Sequence, residues 1–207
     1  MKKVLMAMVA LCLVVPAAMA ADGARSRLSI GLGQGVADGY SVATVGAGDY
    51  LAPTTAPEIN VGAEYWYSFS DDYAFALAGA YGFSSMKWEG ATAGDPEIKA
   101  TGKSFKLRVG GDRVGRVGDR LTVFMGPGLE FWSGSQKLDV GGSSDESESV
   151  TRFGVSGRIG GFMALTESVS IMGQVGHTFG LATAEDEAKS TWLPSSFNAS
   201  WGLAFAF

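Results

Sequence analysis

The sequence predicts an all-β fold, an eight-stranded antiparallel up-and-down transmembrane barrel. Three observations predict it. The last stretch alternates strictly, with Phe197, Ala199, Trp201, Leu203, Phe205 and Phe207 on one face and Ser196, Asn198, Ser200, Gly202, Ala204 and Ala206 on the other. A period of two is the signature of a strand. Seven further stretches alternate in the same way, and their connections run long, short, long, short along the chain. In those stretches one face is apolar while the other is small or charged, as expected when the apolar face meets lipid and the other lines a narrow interior.

The chain opens with the short basic region Met1-Lys2-Lys3, an apolar run from Val4 to Val15, and Ala18-Met19-Ala20 as an Ala-x-Ala cleavage site. This reads as a signal peptide over 1–20 followed by a barrel domain over 21–207. Cys12 lies inside the apolar run behind Leu11, which does not suit a lipoprotein site. Cleavage leaves 187 residues with a formal charge of −7, because the leader takes Lys2 and Lys3 and no acid. No cysteine remains to form a disulfide. The size fits one domain, and the negative balance argues against nucleic acid as a partner. Glycine, at 30 of 207 residues, has about twice its average share, without the collagen period. Beyond the leader no apolar run is long enough for a transmembrane helix.

The strands follow in order. The first runs from Ser26 to Val36, with Leu28, Ile30 and Leu32 on one face. A long connection, 37–57, holds a possible strand extension at Tyr40 to Val45. Glu58 to Phe69 and Tyr73 to Phe83 form the clearest hairpin, turning at Ser70-Asp71-Asp72. After a second polar connection, 84–102, comes Lys103 to Gly111. A basic turn, Asp112 to Arg120, follows, with Val114 and Val117 as candidates for extending the flanking strands. Leu121 to Trp132 is the fifth strand, where Pro127 calls for a bulge. A third polar loop, 133–149, centres on Gly141-Gly142-Ser143-Ser144. Val150 to Gly161 and Val169 to Phe179 are joined at Leu165-Thr166-Glu167-Ser168. A fourth loop, 180–194, leads to the last strand. The short turns belong at the periplasmic end and the long connections outside, with both chain ends periplasmic.

The apolar faces carry no charge across the middle of the strands, whereas the opposite faces carry Glu64, Lys106, Arg108, Glu130, Arg152, Arg158 and Gln174. An Arg or Lys facing lipid at the midplane costs roughly 2–4 kcal/mol; inside, it can be paired. Glu64, Lys106, Arg108, Glu130, Arg152 and Arg158 therefore form the expected interior charge network. Counting from the periplasmic ends places Glu64 level with Lys106, Arg108 or Arg158, and Glu130 level with Arg152. Trp66, Phe124 and Met172 are expected to help fill an interior too narrow for a wide pore.

Few stretches suggest chemistry. Gly31-Leu32-Gly33-Gln34-Gly35 lacks dinucleotide spacing, and Gly102-Lys103-Ser104 lacks the leading glycine of a phosphate loop because Glu97 stands there. His177, the one histidine, could act as a general base, but no serine or acid stands beside it on its face. One histidine and no cysteine beyond the leader leave no zinc or haem set, and no cofactor is expected. The loop acids Asp145, Glu146, Glu148, Glu185, Asp186 and Glu187 read as a solvated face with at most weak divalent-cation attraction.

From Ala21 to Phe207 the chain resembles the small eight-stranded outer-membrane β-barrel proteins, the OmpA transmembrane domain and the OmpX/Ail-like proteins. The resemblance rests on the hairpin Val61-Gly62-Ala63-Glu64-Tyr65 with Ser70-Asp71-Asp72, and on Trp201, Leu203, Phe205 and Phe207 before the terminus. It implies a Gram-negative outer-membrane location, contact with outer-membrane lipids, and insertion by the barrel assembly machinery, which reads that terminal segment. It also implies a non-enzymatic structural or surface-interaction role with an unknown extracellular loop partner. The alternatives are a lipid-modifying enzyme using His177, a narrow small-solute channel, and a soluble periplasmic barrel with the faces exchanged.

Overall fold

The computed structural model describes residues 25–38, 40–45, 48–53, 57–88, 98–146, 150–183 and 195–207. The expected signal peptide and Cys12 lie outside them, as do Glu148, Glu185, Asp186 and Glu187. Eleven strands are described: β1 (Arg25–Asp38), β2 (Tyr40–Val45), β3 (Gly48–Pro53), β4 (Pro57–Ser68), β5 (Tyr73–Trp88), β6 (Ile98–Val117), β7 (Leu121–Val140), β8 (Ser143–Glu146), β9 (Val150–Ala164), β10 (Val169–Thr183) and β11 (Ser195–Ala206). Eight of them, β6-β5-β4-β1-β11-β10-β9-β7, pair antiparallel in sequence, and a β6–β7 pairing closes the barrel. The seam between first and last strands is continuous from Arg27↔Ala206 to Asp38↔Ser195. At its foot, Ser26 and Phe207 exchange backbone hydrogen bonds of 3.3 and 3.1 Å. Closure leaves no unpaired edge in the wall, which a strand in lipid requires.

The strands run further than the polarity of their ends suggests. The polar stretches 84–88, 98–102 and 133–140 continue β5, β6 and β7, and β10 reaches Thr183. These segments stay paired, Ser84↔Gly102 through Trp88↔Ile98 and Gly102↔Gln136 through Ile98↔Val140, so a polar outer face does not end a ladder whose backbone bonds are satisfied. Gly141 (φ 58) and Gly142 (φ 88) make the turn that folds β8 back on β7. β2 and β3 form a separate hairpin inside the first long connection.

Two further expectations are corrected. The turn of the third hairpin is confined to 118–120, with Gly118 at φ 65, so Asp112 to Val117 belong to β6. No bulge occurs at Pro127. Its register with β9 is unbroken from Leu121↔Met163 to Gly134↔Val150, and β6 resumes the same register beyond the unpaired Gly111 and Asp112. The missing proline N–H interrupts the β6–β7 ladder at Gly111 and Asp112 without adding a residue to either strand. The shift falls instead on β10, between Gly180 and Ala182.

The outward face is the lipid face expected from alternation. Leu129, Ile59, Met125, Ile159 and Leu203 are exposed at 66, 60, 54, 52 and 46 %. Aromatic pairs mark its rims: Phe69–Tyr73 with centroids 6.3 Å apart near the short turns, Tyr81–Phe83 at 4.8 Å and Phe131–Phe153 at 5.2 Å toward the long connections. Between Tyr73 and Phe83 the strand advances about 34 Å along its own axis, or about 25 Å along a barrel axis tilted by about 40°, the height of an outer-membrane apolar band.

Candidate functional site

The interior is stacked in layers. At the short-turn end Trp66 (β4), Phe124 (β7) and Phe162 (β9) meet with ring centroids 4.9, 4.8 and 5.1 Å apart, all three nearly fully buried. Ala74, Ala76, Met172 and Ala204 pack around them, small residues on the facing strands leaving room for the rings. Phe162 lies just beyond Gly161, where alternation places the strand end, and it shares parity with Arg158. The Arg27 guanidinium is 4.7 Å from its centroid.

Above this plug sits an ionic belt centred on Arg158. Its Nη1 is 2.6 Å from Glu64 Oε1 and donates to Gln174 Oε1 at 2.9 Å. Its Nε donates to Asp112 Oδ1 at 3.1 Å, and its Nη2 donates to Asp112 Oδ2, so the guanidinium grips that carboxylate with two parallel bonds. Asp112 also accepts from Trp66 Nε1 at 3.0 Å, and Arg158 lies 5.0 Å from the Phe124 centroid. Arg158 and Asp112 therefore tie the belt to the plug. Gln174 donates to Glu64 at 3.3 Å. Arg108 donates to Ser156 at 3.1 Å and reaches Asp112 only at 3.9 Å. Its guanidinium lies flat over Gly110 and Gly128, where a Cβ would come within 2.8 Å of it.

Higher still, Lys106 meets Glu58 at 2.6 Å, and Ser104 donates to the same carboxylate. Glu130 accepts from Thr178 at 3.1 Å. Arg152 does not meet Glu130. In register Glu130 stands opposite Gly154, while Arg152 stands opposite Trp132 and its guanidinium lies 5.0 Å from that ring. Equal counts from Leu121 and Gly161 mislead because Leu121 is paired with Met163, two residues further down β9.

Of the expected interior residues, Glu64 and Arg158 are in direct contact, Lys106 finds Glu58, Arg108 stands opposite Glu130 in the β6–β7 register and lines the same cavity, and Arg152 lies apart against Trp132. Asp112 and Glu58 were missed. Asp112 has the even parity of Lys106, Arg108 and Gly110, and carrying that strand one residue past Gly111 turns it inward. Glu58 stands at the start of its strand and shares the inward parity of Asn60 and Glu64.

Between the belt and the upper pair lies a cavity of about 120 Å³, lined among others by Ser29, Asn60, Lys106, Arg108, Glu130 and Gln174. It has room for several waters. Asn60 Oδ1 and Arg108 Nη1 are buried there without a protein partner. Among the described residues no group of three or more His, Cys, Asp or Glu is placed to hold a metal. His177 is on the outward face, edge-on to Phe179 at 4.4 Å, with Gly157 and Phe197 as its cross-strand neighbours. Trp201, Leu203, Phe205 and Phe207 form an outward row exposed at 52, 46, 41 and 48 %.

The model of the outer membrane protein beta-barrel domain matches residues 7–205 of this chain. Among solved structures, Ail, the attachment invasion locus protein of Yersinia pestis, is 15% identical, covering 89% of this chain and 99% of its own, with a TM-score of 0.50. Neisserial surface protein A is also 15% identical, covering 88% and 97%, with a TM-score of 0.51. At that identity the likeness is one of fold. No curated protein matches the sequence.

Proposed function

The chain belongs to the outer membrane protein beta-barrel domain family, and from that premise we propose that it is a structural and surface-interaction barrel of the outer membrane with no enzymatic activity. The observation that carries this reading is the filled interior. Three aromatic rings packed edge-on and tilted against one another and a belt built on Arg158 occupy the bore where a solute would have to pass. What the protein presents to the outside is wall and connection. β5, β6 and β7 continue as paired strands past the upper aromatic rim, and β8 adds to them, so a partner would meet a shaped sheet.

The reading extends to processing and assembly. Residues 1–20 would be removed on export, giving a mature chain that begins at Ala21. The outward row Trp201, Leu203, Phe205 and Phe207 would be the segment read by the barrel assembly machinery. It lies on the strand that closes the barrel against β1, where recognition and closure can be coupled. The Glu64, Lys106, Arg108, Glu130, Arg152 and Arg158 set would serve the interior as packing and ion pairing, with no part in catalysis.

The test is a lipid-product assay. Purified, folded protein is incubated with outer-membrane lipid extract, and the lipids are then resolved by mass spectrometry. No new species is expected. A product that forms with the native chain and vanishes in His177→Ala, with the heat-dependent gel shift of a folded barrel retained, would replace this reading with the enzyme.

A further inference from the structure

Above its apolar band the outer wall differs from side to side. On the β1, β4, β10 and β11 side, the outward positions at this level are Gln34, Ile59, Phe179, Leu181 and Phe197, all exposed and none charged. On the β5, β6 and β7 side they include Lys87, Lys99, Lys103 and Lys137, each exposed. The asymmetry is concentrated, because these are four of the six lysines beyond residue 20 in a chain of net negative charge.

The register makes a compact patch of them. Lys103 stands opposite Phe83, Lys137 opposite Thr101, and Lys99 opposite Lys87. Thr101 lies between Lys99 and Lys103 on β6, so Lys137 is the diagonal neighbour of both, at about 7–8 Å between backbones. Flexible lysine stems of that spacing let three ammonium groups converge on one phosphate-sized anion. Asp139 stands opposite Lys99 and Glu146 of β8 opposite Lys137, so the four wall lysines outnumber the two acids of the same ladder, and no ion pair joins Asp139 to Lys99 among the described residues. The connection beyond Lys87 carries Glu89, Asp95 and Glu97, which lie outside the described residues, so the patch is defined by wall positions alone.

Its height selects the occupant. Phe83 marks the upper edge of the apolar band, which puts Lys103 at the hydrocarbon boundary. Lys99 and Lys137 lie within about 10 Å above it by strand rise and tilt, the depth of the headgroup layer. Lysine stems rest on apolar surface and carry the ammonium to the interface. We propose that Lys99, Lys103 and Lys137 form a one-sided binding patch for the phosphate groups of an anionic lipid in the outer leaflet. Charge complementarity and continuity with the lipid-facing wall favour a membrane lipid over a soluble polyanion.

The test uses the mature chain reconstituted in phosphatidylcholine nanodiscs that also contain diphosphoryl lipid A, or its dephosphorylated counterpart. The protein is then moved into zwitterionic detergent and the retained lipid is counted by native mass spectrometry. Each lysine near an anionic surface contributes a factor of several, so the Lys99→Gln, Lys103→Gln, Lys137→Gln variant should retain at least about tenfold less of the diphosphoryl lipid. The corresponding triple arginine variant should retain it, and the dephosphorylated lipid should be lost from every form. All forms are first checked for the gel shift of a folded barrel. Equal retention by the native and glutamine forms would overturn the proposal. So would lysine-dependent binding of inorganic phosphate or heparin with lipid retention unchanged, which would assign the patch to a soluble anion.

Discussion

Below the Asp112–Arg158 pair the barrel interior is packed and aromatic; above it the interior is ionic and holds a cavity of about 120 Å³. The lower region fills its space with three rings and four small or flexible side chains. The upper region fills it with long charged chains that pair only in part: Lys106 meets Glu58, while Asn60 Oδ1 and Arg108 Nη1 are left without protein partners. The wall outside is apolar at both levels. The interior chemistry is therefore set by what closes each end. The short-turn end is sealed by shape, where packing needs no water. The end toward the long connections stays open to hydration, where polar groups need not all be paired within the protein.

Four substitutions probe that contrast, the largest effect first. Arg158→Met removes the side chain that joins the two regions and strands both Glu64 and Asp112. Removing one partner of a buried ion pair costs about 3–5 kcal/mol, and two stranded acids place this variant near the top of that range. Urea unfolding followed by the gel shift would read it, and a midpoint equal to that of the native barrel would show that the belt is not structural. Phe124→Ala opens the plug itself. The expected loss is about 3 kcal/mol, the lower end for a phenylalanine truncated in a packed core. A smaller loss than for Lys106→Met would invert the comparison.

Lys106→Met leaves Glu58 with the Ser104 hydroxyl as its donor, near the hydrated end of the interior where water can replace the lysine. A loss of about 1–2 kcal/mol is expected, measured in the same titration. Glu130→Gln should change stability by no more than about 0.5 kcal/mol, because the amide oxygen still accepts from Thr178. A large loss there would mean that the upper region is as tightly coupled as the lower.

Much of this was legible in the sequence, for one physical reason. In a wall one strand thick, parity alone decides between lipid and interior, so Trp66, Phe124, Glu64 and Arg158 could be turned inward without knowing any contact. Depth was harder. Counting from strand ends matches Glu130 with Arg152, and a two-residue error in where β9 ends separates them. Asp112 and Phe162 were lost for the same reason, because each lies just past a point where composition, not pairing, was allowed to end a strand. The polar extensions of β5, β6 and β7 were read as loops, since backbone bonding leaves no mark on side-chain polarity. The expected bulge at Pro127 failed because one missing N–H interrupts a ladder without moving its register.

Closure of the bore by the plug is tested most directly by the conductance of the purified barrel in planar lipid bilayers. With Trp66, Phe124 and Phe162 in contact, the native protein should insert without stable current steps. Reproducible single-channel steps from the native protein would contradict the account, because they require a continuous water path through the rings that are here proposed to seal it.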